Sequence, residues 1–180
     1  MLSLAQLRGF IKWYYSEYIN KNTVDDVYTS LSHHGYDDIV GFERRASALK
    51  KLVSRNNFKN ATVLDLACGT GAFIQAIIDH KPKRIVGVDL TAGMLKVAKK
   101  RFKHDKNISF IHRSYMNVHF PKGTFDYILL ANASRYIAFG EEKTFFSHVR
   151  NWLKPNGIFI ILSDNVFGYS TFGRMLSKLI

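Results

Sequence analysis

From residue 62 onward the chain alternates short apolar runs with amphipathic stretches. The apolar runs fall at 62–66 (TVLDL), 84–88 (RIVGV), 108–112 (ISFIH), 125–130 (FDYILL) and 158–163 (IFIILS). Each has strand length and little polar alternation, as expected of strands covered on both faces. Between them, residues 71–80, 92–103 and 141–153 carry apolar groups at helical spacing, with Thr91 placed to cap the second and Lys154-Pro155-Asn156-Gly157 to end the third. Strands alternating with helices predict an α/β fold with a doubly wound, mostly parallel sheet. Before this region, Leu4, Leu7, Phe10, Ile11, Tyr14, Tyr15 and Tyr18 predict one amphipathic helix. Phe42, Ala46, Leu49, Leu52 and Val53 predict another, and residues 20–41 read as loops with a short helix. The pattern divides the chain into an N-terminal helical lid segment (1–41), a core (42–163) and a short helical tail (164–180) striped by Phe172, Met175, Leu176, Leu179 and Ile180.

The chemistry concentrates where the first strand meets the first crossover helix. Residues 63–71 read Val-Leu-Asp-Leu-Ala-Cys-Gly-Thr-Gly, and the second strand ends in Gly-Val-Asp at 87–89. Glycines at 69 and 71 let a ligand pass close over the backbone and allow positive φ. An acid at the end of the second strand, Asp89, suits the two ribose hydroxyls of a nucleoside cofactor. A dinucleotide fingerprint needs a third glycine, where this chain has Ile74. Asp65, inside the first strand, opposes an anionic pyrophosphate but favours a cofactor carrying an ammonium and a sulfonium. There is no G-x-x-x-x-G-K-[ST] loop for a nucleotide triphosphate.

These residues resemble the cofactor site of class I S-adenosylmethionine (SAM)-dependent methyltransferases, of the small-molecule and quinone kind. Residues 63–71 are similar to the first motif of that family and 87–95 (GVDLTAGML) to the second. Residues 125–130 and 152–161 (WLKPNGIFII) are similar to later landmarks. The resemblance covers roughly residues 42–163 and implies a Rossmann-like fold, SAM as cofactor and S-adenosylhomocysteine (SAH) as product. It places Asp65, Ala67, Gly69 and Gly71 around the methionine part, Asp89 at the ribose, and Leu90 and Met94 on the adenine. Where the family commonly has a Gly-Asp pair after the third strand, this chain has His112-Arg113-Ser114-Tyr115-Met116. Ser114 then stands near the acid position, and Tyr115 or Met116 would cover the ring. Tyr15 matches a tyrosine that closes over the cofactor carboxylate. Asn132 joins the cofactor set from the loop after the fourth strand.

Methyl transfer from a sulfonium is an in-line displacement that positioning and desolvation largely accelerate. A general base is needed only where the acceptor must lose a proton. Tyr136, in the loop after the fourth strand, and His34, in the segment before the core, are the candidate catalytic groups; Arg135 is placed to hold an anionic acceptor. His33 and His34 lack a ligand-spaced partner set, so no metal is expected. The Asn132-Ala133-Ser134-Arg135 run does not match the signature of enzymes that methylate base amino groups.

Composition adds three expectations. The single cysteine, Cys68, allows no intrachain disulfide and fits a reducing, cytoplasmic setting, and no run is long and apolar enough for a transmembrane segment. The formal charge is +12, and residues 81–113 hold ten Lys or Arg against two acids. Lys96, Lys99, Lys100 and Lys103 share one helix face, which permits nucleic acid or an anionic surface as partner, although a solvated face is the simpler reading. The fold implied by the resemblance ends in a helix and an antiparallel strand pair, for which the residues after Ser163 are too few. Three readings of the exposed sheet edge follow: the tail folds back over it, a partner chain, homo- or hetero-oligomeric, covers it, or the chain is a shortened relative that no longer catalyses. The leading expectation is a methyltransferase acting on a small-molecule or lipid-like acceptor. The alternatives are a non-catalytic SAM-binding subunit completed by another chain, and an RNA or protein methyltransferase recruited by the lysine face.

Overall fold

The computed structural model describes Tyr28 and residues 35–37, 41–137 and 140–162. The expected N-terminal helix with Tyr15, the His33-His34 pair and the helical tail after Ser163 lie outside the described residues. Helix α1 (Phe42–Val53) leads into β1 (Thr62–Leu66), α2 (Ala72–Ile77), a 3-10 turn to His80, and β2 (Arg84–Asp89). Helix α3 (Ala92–Arg101), β3 (Ile108–His112), β4 (Phe125–Ala131), a 3-10 turn (Ser134–Tyr136), α4 (Glu142–Trp152) and β5 (Leu153–Leu162) follow. The five strands form one sheet in the order β3-β2-β1-β4-β5, and every pairing is parallel. The chain winds outward from β1 to β3, then crosses to β4 on the other side of β1. Between the carboxyl ends of β1 and β4 the winding reverses, which opens the crevice in which such sheets bind ligands.

Strand alternation divides the core in two. Val63, Ile85 and Leu129 face α1, α2 and α3, where they meet Phe58, Ile74, Ile77, Leu95 and Phe102. Leu64, Leu66, Val86, Val88, Ile128 and Leu130 face the opposite way, onto Phe145, Val149 and Trp152 of α4. Phe145 has no exposed surface. It meets Tyr115 edge-on at 5.5 Å between ring centroids, which ties α4 to the segment after β3. Both sheet faces are covered, which is why the strand sequences read as unbroken apolar runs rather than as alternation.

The end of the sheet departs from the sequence expectation. Strand β5 begins at Leu153, directly after α4, rather than after the Pro155-Asn156-Gly157 turn. Leu153 pairs with Phe125 and Ile158 with Tyr127, so residues 154–157 arch out of the ladder and Asn156 takes the left-handed conformation at φ 65°. The arch is held at its base by Lys154, whose Nζ donates to Asp126 Oδ1 and Oδ2 at 2.9 and 2.8 Å. Asp126 in turn accepts the Thr62 N–H at 2.8 Å, so one carboxylate joins β1, β4 and β5.

Burial pushes Asp126 up, but the Lys154 ammonium and the Thr62 N–H outweigh it and hold the carboxyl below its ordinary value. A depressed carboxylate contributes stability that is present above its unfolded pKa and lost as pH falls through the folded one. Asp126→Asn is therefore expected to be less stable than the wild type at neutral pH, by under about 1 kcal/mol for this partly exposed pair. The two should converge in acid, below the ordinary carboxylate range. Urea unfolding at a series of pH values checks this; parallel curves from neutral pH into acid would refute it.

Candidate functional site

At the carboxyl end of β1 the backbone leaves the sheet in three steps of positive φ, at Ala67 (54°), Gly69 (54°) and Gly71 (90°). The Cys68 N–H donates to Val88 O at 3.0 Å, prolonging the β1–β2 pairing one step past the strand. The chain then turns through Gly69 and Thr70, and Gly71 stands as the N-cap of α2. A Cβ on Gly71 would run into the Phe102 ring, whereas a Cβ on Gly69 would meet nothing within 4 Å. Packing thus accounts for Gly71. Gly69 borders open space at the crevice.

Asp89 ends β2 and is 9% exposed. Its Oδ2 accepts the Gly69 N–H at 2.7 Å, and its Oδ1 accepts the Thr91 N–H at 2.8 Å. One carboxylate therefore holds the glycine turn and the start of α3 in fixed relation. Thr91 is the N-cap residue of α3 as expected, but it makes no side-chain cap, and its own N–H is committed to Asp89. Carboxylate oxygens each accept more than one hydrogen bond, so the backbone contacts are compatible with ribose hydroxyls on the same group. Asp65 lies one strand away, 1% exposed. Cys68 is buried between the two acids; burial, then Asp89, then Asp65 raise its thiol well above the ordinary value, which keeps it protonated.

The remaining residues singled out in the sequence divide into two groups. Leu90 is 45% exposed beside Asp89 and presents apolar surface at the mouth of the site. His112 Nε2 reaches the Leu90 carbonyl at 2.7 Å and steadies that step of the backbone. Ser114 Oγ accepts the Met116 N–H at 3.2 Å. Asn132, at φ 58°, donates its N–H to Leu162 O at 2.8 Å and turns the chain off β4. Met94, by contrast, is 2% exposed in the first turn of α3. Tyr115 packs in the α4-side core and its hydroxyl donates to Ala133 O at 3.2 Å, so it supports the loop after β4. Burial pushes the Tyr115 hydroxyl up, with a smaller push from Glu141, so it stays protonated and a donor.

Sequence reasoning missed four participants. Tyr28 Oη lies 2.8 Å from Tyr136 Oη, which brings Tyr28 onto the loop after β4. Asp37, Thr70 and Arg101 form a polar cluster behind the glycine turn. Thr70 stood inside the motif, but its neighbours in the motif drew the attention. Arg101 was one cation among many in a basic stretch, and nothing local to Tyr28 or Asp37 marks either. Lys96, Lys99, Lys100 and Lys103 are exposed, as their spacing predicted. Among the described residues no helix is long and apolar enough to cross a membrane, and no group of three or more His, Cys, Asp or Glu could hold a metal ion.

The site fits SAM on its own geometry. Two buried acids supply a negative floor that suits a cofactor bearing a sulfonium and an ammonium, open space lies at Gly69, and apolar Leu90 is exposed beside Asp89. Comparison with known proteins agrees. A family model described as "Methyltransferase domain" matches residues 63–157, more than half of the 180-residue chain. A demethylmenaquinone methyltransferase of Staphylococcus saprophyticus is 29% identical over 155 residues, covering 81% of this chain and 64% of the relative. A malonyl-[acyl-carrier protein] O-methyltransferase of Halalkalibacterium halodurans is 30% identical over 164 residues, covering 86% and 58%. The chain thus spans less than two thirds of the length of either relative. Among solved structures, a SAM-dependent methyltransferase from Mesorhizobium loti superposes with a TM-score of 0.57 at 25% identity, over 64% of this chain and 51% of that one. With the parallel sheet, the glycine turn and the acid at the end of β2, these matches show that the chain belongs to the methyltransferase-domain family, of the class I SAM-dependent type.

Proposed function

We propose that this chain transfers a methyl group from SAM to a small-molecule acceptor of the quinol or other lipid-like kind. The observation that carries the reading is the interlock of Asp89 with the Gly69 and Thr91 backbone, beside buried Asp65. It builds a nucleoside-binding edge whose charge suits a cationic cofactor. SAM held there would supply an electrophilic methyl group, its sulfur keeping the C–S electron pair as the thioether product, and a quinol acceptor would give up one proton to solvent or a base. Asp65 and Asp89 hold and orient the donor. The chain's further task is to set the acceptor in line and exclude water.

The acceptor side supports a ligand bearing hydroxyl or carbonyl groups. Tyr136 stands on the loop after β4, at the same end of the sheet as the glycine turn, with the Tyr28 hydroxyl 2.8 Å from its own. Phenol hydroxyls orient such a group while the rings exclude water. The similarity to demethylmenaquinone methyltransferases favours a quinol as acceptor, and that to a malonyl-carrier methyltransferase offers a carboxylate as the competing one.

The test pairs SAH calorimetry with transfer of radiolabelled methyl from SAM to a reduced demethylnaphthoquinone, and separately to a malonyl thioester. Saturable SAH binding with turnover on the quinol is the expected result, and turnover on the thioester alone would overturn the acceptor class. Tyr136→Phe is expected to lower kcat/KM for the quinol about 10-fold, the worth of one hydrogen bond, while leaving the SAH Kd unchanged. An unchanged kcat/KM would remove Tyr136 from the acceptor site.

A further inference from the structure

A polar cluster outside the cofactor-binding groups named above connects three separate parts of the chain. Arg101, the last residue of α3, lays its guanidinium 3.6 Å from the centre of the Phe42 ring at the start of α1. Its Nη1 donates to the Thr70 carbonyl, and its Nη2 donates to Asp37 Oδ2 at 2.6 Å. The Thr70 hydroxyl donates to Asp37 Oδ1 at 2.6 Å, so both oxygens of Asp37 are engaged. Thr70 is 3% exposed, and the Arg101 and Asp37 side chains are mostly covered at 25% and 18% exposure. A planar guanidinium stacked on an aromatic ring and forked between a carbonyl and a carboxylate is pre-organised, and lysine does not reproduce it.

The position of the cluster gives it a role. Gly69 is tied from one side by Asp89, and the next residue, Thr70, is tied from the other by Asp37 and Arg101. The turn is thus clamped between the acid that ends β2 and the segment that precedes the core. That segment also carries Tyr36, whose ring meets Tyr28 edge-on at 5.9 Å, and Tyr28 reaches Tyr136 on the far side of the crevice. A single chain of contacts therefore runs from the SAM turn through Asp37, Tyr36 and Tyr28 to the acceptor loop.

We propose that Asp37 and Arg101 are positioning residues: their ion pair, packed on Thr70, sets the glycine turn for the cofactor and couples cofactor binding to the contacts of Tyr36 and Tyr28. The proposal rests on the SAM-binding reading above. Neither residue touches the reacting atoms. Because coupling between two sites is reciprocal, whatever steadies the Asp37–Arg101 pair tightens cofactor binding, and bound cofactor steadies that pair.

The experiment uses the full chain and SAH as probe. Calorimetry is run on the wild type, Asp37→Asn, Arg101→Lys, Arg101→Met, Thr70→Val and the double variant Asp37→Asn/Arg101→Met, with hydrogen exchange of the Tyr36 and Asp37 amides read with and without saturating SAH. Each single change at 37 or 101 is expected to weaken SAH about 10-fold. The double variant should be no weaker than the worse single one, since both changes disable the same pair. Arg101→Lys should fail to rescue, because it keeps the charge but loses the fork. Thr70→Val should give a smaller loss. In the wild type, SAH is expected to slow exchange at Tyr36 and Asp37, and in the variants saturating SAH should no longer do so. A merely structural role would shift the melting temperature without abolishing that SAH-dependent protection. If Arg101→Met does not fold, Asp37→Asn and Thr70→Val carry the same comparison. Variant affinities within twofold of the wild type, or SAH-dependent protection that survives in them, would overturn the proposal and leave the cofactor reading standing. A folded wild type that does not bind SAH would overturn both.

Discussion

Asp89→Ala is expected to eliminate measurable SAH binding, a loss of at least about 100-fold, from the removal of charge-assisted hydrogen bonds worth about 1.5–3 kcal/mol each. The size of the effect follows from the two tasks of this side chain. In the proposed function it is the acid that accepts from the ribose hydroxyls. As an internal acceptor it receives Gly69 N–H at 2.7 Å and Thr91 N–H at 2.8 Å. Alanine leaves both donors without their acceptor at a buried position and frees the turn from α3, so the preformed site is lost with the ribose contact. Asp89→Asn separates the two tasks. Its amide oxygen keeps one backbone contact, while its NH2 faces the other N–H donor, so affinity should still fall, though by less than with alanine. Calorimetry with SAH, backed by circular dichroism to establish folding, decides the matter. Binding by Asp89→Ala within threefold of wild type would place the cofactor elsewhere.

The second large effect is expected on stability. Gly71→Ala puts a Cβ at φ 90°, outside the ordinary range of L-residues, and drives it into the Phe102 ring. Left-handed strain costs about 1–3 kcal/mol and overpacking a further 1–3. A loss of about 2–4 kcal/mol in urea unfolding is the expected sum, allowing for some relaxation of the ring. Gly69→Ala provides the contrast. Its φ is 54°, but the new Cβ meets nothing within 4 Å. It should cost only about 1 kcal/mol in stability yet weaken SAH, because in the proposed function the cofactor passes through the space it fills. If Gly71→Ala unfolds within 0.5 kcal/mol of wild type, Phe102 does not restrict this turn. If Gly69→Ala binds SAH normally, the cofactor does not pass over it.

The two glycines also show how far local sequence carries. Both are recognisable from the motif, and both take positive φ in the structure. Only the structure separates their reasons, because Phe102 lies thirty-one residues beyond Gly71 in the chain and reaches it through the crossover of α3. The same distinction holds for the tyrosines. Tyr115 stands near the position of an adenine-binding group in the sequence, but its ring is taken by Phe145 and its hydroxyl by Ala133 O. Tyr136 was marked by its loop, whereas its partner Tyr28, 108 residues away, was not marked at all.

By itself the sequence determined the elements from β1 to α4, the parallel class of the sheet, the glycine turn and the acid at the end of β2. The reason is that each is written in a local signal: unbroken apolar runs for strands buried on both faces, helical spacing for the crossovers, and glycine where positive φ is needed. The tertiary structure alone decided the order β3-β2-β1-β4-β5, the early start of β5 over the Lys154–Asp126 pair, and the closure of Arg101 on Asp37. These depend on which residues meet across tens of positions in the chain, 64 in the case of Asp37 and Arg101. No periodicity records that choice. It is made when both faces of the sheet are covered at once, and Thr70, Asp37 and Arg101 pair with one another beside the turn.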